Sequence, residues 1–129
     1  MAKTLTTQLL ITSSDLFDGN AFKIVQTDEL TIEGDVINGS QILTTASVQL
    51  WDSGDAKAYV YLKNSSTADD EDDLVDVSIE VGGVWSLVLK PGEWSWVRYD
   101  AAVGGDLAAK SSANTGNPLI DYLICVDTD

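Results

Sequence analysis

The stretch Val75-Asp76-Val77-Ser78-Ile79-Glu80-Val81 alternates with a period of two, Val75, Val77, Ile79 and Val81 pointing one way and Asp76, Ser78 and Glu80 the other. Such alternation marks a strand with one dry and one wet face. Gly82-Gly83 follows, a pair suited to a tight hairpin turn that needs positive φ. The spacing predicts a return strand over residues 84–89, with Trp85, Leu87 and Leu89 on one face. Next, Lys90-Pro91-Gly92-Glu93 matches a type II turn, because Pro presets φ at the second position and Gly accepts positive φ at the third. A further strand over 94–99 then completes a predicted meander.

Working outward, residues 4–12, 21–26, 30–33, 41–51 and 57–63 read as strands between Gly, Asn and Asp turn signals, and 119–126 as the last strand. Residues 101–113 read as a long connection, since Gly104-Gly105 interrupts them and 106–110 allow at most one helical turn. The expectation is an all-β antiparallel sandwich of about eight or nine short strands, jelly-roll or immunoglobulin-like. A chain of 129 residues fits one such domain over 1–129.

Composition narrows the chemistry. Hydrophobic residues make up 44% of the chain, enough to build a core. Seven Lys plus Arg against 21 Asp plus Glu give a formal charge of -14, a field that repels phosphates and anionic headgroups. Nucleic acid and membrane surfaces are therefore not expected partners. The run Leu9-Leu10-Ile11 is too short for a signal peptide's apolar region or a membrane span, so the expected setting is a soluble compartment.

Histidine is absent, which removes the commonest general base and the usual triad partner. Cys125 is the only cysteine and lies in the apolar run 119–126, where a thiol serves as a small buried hydrophobe. No phosphate-cradling glycine loop is present. The acidic run Asp69-Asp70-Glu71-Asp72-Asp73 invites a calcium reading, but its spacing lacks the alternation and mid-loop Gly of an EF-hand. A solvated loop is the expectation, with no metal or other cofactor and no enzymatic role.

The aromatic residues carry the binding reading. Trp94 and Trp96 stand two apart on one predicted strand and share a face, with Arg98 continuing the row. They cannot be buried by the same face as Val97 and Tyr99, so one side of this strand places large apolar groups outside the obvious core, as an interface does. Tyr59 and Tyr61 stand in the same relation to Val60 and Leu62. Burial of both tryptophans in the sandwich core is the competing reading.

The order Ser78-Ile79-Glu80-Val81, Leu87-Val88-Leu89-Lys90-Pro91-Gly92-Glu93-Trp94, Asp106-Leu107-Ala108-Ala109-Lys110 and Pro118-Leu119-Ile120-Asp121-Tyr122-Leu123-Ile124 resembles small virion proteins of tailed bacteriophages, marine and cyanobacterial ones particularly. The resemblance covers about the last half of the chain. It implies a head decoration or cement protein on the outer capsid surface, made in the host cytoplasm. Such a protein is catalytically inert, bound to the major capsid protein and homo-oligomeric, most often a trimer. The alternative is a tail or fibre component or a lectin-like module recognising a host surface glycan, and a carboxylate-based glycosidase ranks lowest.

Overall fold

A computed structural model describes residues 2–17, 19–51, 57–66, 75–78, 85–100, 107–111 and 117–127. Every regular element among them is a strand: β1(Lys3–Phe17), β2(Asn20–Ile32), β3(Val36–Ile42), β4(Val48–Trp51), β5(Lys57–Asn64), β6(Val75–Ser78), β7(Trp85–Leu89), β8(Trp94–Asp100), β9(Leu107–Ser111) and β10(Leu119–Asp127). The chain divides into two compact units, Met1–Glu33 and Gly34–Asp129. The predicted sandwich occupies the second, and the first is a β arm.

The arm is a single antiparallel hairpin of β1 and β2, turning through Gly19 at φ 89°, a left-handed conformation that glycine adopts without steric cost. Separate strands over 21–26 and 30–33 are expected from sequence, yet β2 runs unbroken, because Thr27, Asp28 and Glu29 pair with Gln8, Thr7 and Thr6. These polar residues are exposed, so they interrupt the hydrophobic pattern without interrupting the ladder.

The second unit holds two four-stranded antiparallel sheets, ordered β3-β10-β5-β8 and β4-β9-β6-β7. The ladders β3·β10, β4·β9, β5·β8 and β6·β7 join its first strand to its last, its second to its penultimate, and so inward. That is the pattern of one long hairpin rolled over on itself, and β10·β5 and β9·β6 close the roll. Of the two topologies left open by the sequence, this is the jelly roll.

Alternation sets the core. Ala58, Val60 and Leu62 of β5, with Ile120 and Ile124 of β10, are buried from one sheet; Leu50, Trp51, Leu89, Leu107 and Ala109 meet them from the other. Leu43, in the crossover between β3 and β4, is also buried in this cluster.

Three expectations are corrected. Residues 41–51 are not one strand, since β3 and β4 belong to opposite sheets. Residues 101–113 are not wholly a connection: β9 lies within them and buries Leu107, Ala108 and Ala109. Small alanines give weak hydrophobic contrast, which hides the strand. The meander stops at two strands, because β8 leaves β7 and pairs with β5 in the other sheet.

The cause of that switch is the turn before β8. Glu93 N donates to Lys90 O at 2.9 Å and Gly92 has φ 85°, as the type II reading requires. The same turn is fastened to the end of β5: Gly92 N donates to Asn64 O at 2.7 Å and Asn64 N to Glu93 O at 3.0 Å. β6 and β7 pair as antiparallel neighbours, as expected, while residues 79–84 of the expected strands and turn, Gly82-Gly83 among them, lie outside the described residues.

Candidate functional site

On β5, the inward residues Ala58, Val60, Leu62 and Asn64 are buried, which turns Tyr59, Tyr61 and Lys63 to the outer face. The β5·β8 register sets Tyr59 opposite Arg98, Tyr61 opposite Trp96 and Lys63 opposite Trp94. All five residues singled out by the sequence, Trp94, Trp96, Arg98, Tyr59 and Tyr61, therefore share one surface. Trp94 is 54% exposed, and Trp96, Tyr59 and Tyr61 are half-buried against one another and the sheet.

The β10 and β3 registers extend the same face by two strands. One row across the sheet reads Ser40, Asp121, Lys63, Trp94; the next reads Asn38, Leu123, Tyr61, Trp96; a third reads Val36, Cys125, Tyr59, Arg98. The rings of Tyr59 and Trp96 stack diagonally, with centroids 5.9 Å apart and planes 12° from parallel. Arg98 lies over the Tyr59 ring at 5.5 Å and donates from a guanidinium nitrogen to Asp127 at 3.3 Å. The arrangement is a cation–π pair on an aromatic stack, held at one end by an ion pair.

The other end is polar. The Ser40 and Ser65 hydroxyls each donate to a different oxygen of Asp121. These hydrogen bonds, Ser40 first and Ser65 second, hold the Asp121 carboxyl below the ordinary carboxylate range; slight burial opposes them and the nearby Lys63 ammonium assists. Asn38, Gly39, Ser40, Tyr61, Asp121, Tyr122 and Leu123 line an open depression of about 440 Å³ beside this clasp. No local sequence pattern marks Lys63, Asn38 or Ser40 as part of this face, whereas Asp121 stands out as the one acid inside the apolar run 119–126.

A carboxylate that is held ionised and occupied by two hydroxyls is a structural clasp and a hydrogen-bond acceptor, not a proton donor near neutral pH. Asp127 lies on the same face six residues along β10, roughly 20 Å from Asp121 at the usual rise per residue. That is too far for the two acids to flank one glycosidic bond. Cys125 is 2% exposed and carries a buried thiol, in line with the sequence reading.

Comparison of the chain with protein-family models, with curated proteins and with solved structures finds no match. Among the described residues no cluster of three or more acids and cysteines is placed to hold a metal ion. The acidic run 69–73 lies outside them. Among the described residues no helix is long and apolar enough to cross a membrane.

Proposed function

We propose that this chain is a structural virion protein, a capsid decoration or cement protein that docks on the head of a tailed phage through the outer face of its β3-β10-β5-β8 sheet. The observation that carries the docking face is the gathering of Trp94, Trp96, Arg98, Tyr59 and Tyr61 on one solvent-facing surface. Tryptophan, tyrosine and arginine are the side chains that dominate interface hot spots. The phage setting rests on the resemblance of the second half of the chain, and jelly rolls are a common architecture of capsid proteins. Partners in this reading are the major capsid protein and further copies of the chain.

The test is co-sedimentation of the purified chain with undecorated phage heads, beside the Trp96→Ala variant. Binding that is saturable and weakened by the substitution supports docking through this face. A second reading, a lectin-like module, draws support from the exposed Trp94 beside the polar depression at Asp121, where a sugar ring could stack and hydrogen-bond. Selective glycan binding lost in Trp94→Ala, with no binding to heads, would replace the first reading with the second.

A further inference from the structure

The arm has two unlike faces. The β1·β2 register puts Leu5 opposite Leu30, Thr7 opposite Asp28, Leu9 opposite Gln26, Ile11 opposite Ile24 and Ser13 opposite Phe22, all on one side. The other side carries Thr4 opposite Thr31, Thr6 opposite Glu29, Gln8 opposite Thr27, Leu10 opposite Val25 and Thr12 opposite Lys23. The first face carries six apolar side chains, a stripe interrupted at the Thr7–Asp28 row and by Gln26; the second is polar apart from Leu10 and Val25, which are 60% and 50% exposed. On the stripe Leu9, Ile11 and Ile24 are 40%, 42% and 40% exposed. A two-stranded ribbon is marginally stable until its apolar face is covered.

We propose that the cover is a second copy of this chain, the two arms packing stripe against stripe with their strands antiparallel. Charge is the first reason. A chain of net charge -14 has a net repulsion between its copies, and between Leu5 and Ser13 and between Phe22 and Leu30 the stripe carries one charged side chain, Asp28. Self-complementarity is the second. A two-fold axis across the strands, midway between the Thr7–Asp28 and Leu9–Gln26 rows, sets the Leu5–Leu30 row of one copy on the Ile11–Ile24 row of the other. Asp28 then faces Gln26 of the second copy, whose amide can donate to the carboxylate. A threefold bundle of parallel arms would instead gather three Asp28 carboxylates among apolar groups, at a cost in repulsion and desolvation.

Size sets the strength of the pairing. The face from Lys3 to Ser13 is roughly 35 Å long and two strands, about 10 Å, wide, so the two copies together cover a flat footprint of roughly 700 Å². That lies below the standard interface size, so the dimer is weak and forms only at high concentration. The proposed dimer uses residues of the first unit and the proposed docking face residues of the second, so each is tested with its own variants.

The experiment is sedimentation equilibrium of the full chain from low micromolar to near-millimolar concentration, with far-UV circular dichroism of each variant as a folding check. Reversible monomer–dimer behaviour is expected, with dissociation increased by about tenfold or more in Leu9→Glu and changed by less than about twofold in Leu10→Glu on the opposite face. Gln26→Lys, which sets an ammonium against Asp28 of the second copy, should tighten the dimer. A wild-type chain that stays monomeric throughout, a trimer, or equal effects of Leu9→Glu and Leu10→Glu would overturn the proposal. Should Leu9→Glu fail to fold, the Gln26→Lys result decides alone: no tightening overturns it.

Discussion

Tyr59 and Trp96, on adjacent strands but not directly opposite, lie ring over ring at 5.9 Å with planes 12° apart, and Arg98 rests on the far end of the same stack. The stack puts three side chains with high interface propensity in one fixed arrangement, so little side-chain entropy is lost when a partner covers them. A double-mutant cycle of Tyr59→Leu and Trp96→Leu should show a coupling of about 0.5–1.5 kcal/mol in chemical unfolding. Trp96→Ala should leave the jelly roll folded and cost about 2 kcal/mol or more in docking to heads. Loss of the folded state before loss of docking would return Trp96 to a core role.

Asn64 ends β5 fully buried. Its side-chain amide donates to Leu89 O at 2.9 Å and its carbonyl accepts from Ser66 N at 3.1 Å, while its backbone holds the turn at Gly92 and Glu93. Asn64→Leu removes these two side-chain bonds and leaves the carbonyl of buried Leu89 without this donor. A loss of about 2–3 kcal/mol in urea unfolding is expected. A loss under about 0.5 kcal/mol would mean that the clamp between the sheets is held by the backbone alone.

Gly34 opens the second unit against the end of β10. Gly34 N donates to Val126 O at 3.0 Å, and a Cβ at position 34 would lie 2.5 Å from that same oxygen and 2.9 Å from Val126 Cβ. The obstacle is backbone, which cannot swing aside as a flexible side chain would. Gly34→Ala should therefore destabilise the jelly roll by about 1–3 kcal/mol, measured as a lowered urea midpoint at unchanged slope.

What was legible in the sequence follows hydrophobic contrast. Val60 and Leu62 against Tyr59 and Tyr61, and Pro91-Gly92 at a type II turn, carry strong local signals, and the strand and turn appear where they are expected. Leu107, Ala108 and Ala109 do not alternate, because all three are buried; β9 was hidden accordingly. Leu9-Leu10-Ile11 masked the apolar stripe of β1 in the same way, since Leu10 breaks its period of two. The grouping of Trp96 with Tyr59 depends on β8 choosing β5 over β7. That choice is set by the long-range bonds between Asn64 and the turn at Gly92 and Glu93, which no local pattern encodes.

Asp121 joins β10 to β3 through Ser40 and to the residues after β5 through Ser65, so its ionisation is linked to how firmly the edge strand β3 is held. Its native carboxyl titrates below the ordinary value of 3.8, mainly because those two hydroxyls donate to the charged form. A carboxyl depressed in the native state binds protons more readily when unfolded, so its stabilisation is complete above 3.8 and is lost as pH falls through the lower native value. The acid limb of the stability curve should therefore steepen below pH 3.8 and flatten in Asp121→Asn, with the two proteins converging at the lowest pH. Ser40→Ala with Ser65→Ala should bring the native Asp121 titration, followed by its side-chain carbonyl resonance, back toward 3.8. An unchanged titration in that double variant would assign the depression to Lys63 instead, and added salt, which screens the ammonium but leaves hydrogen bonds in place, would then raise it.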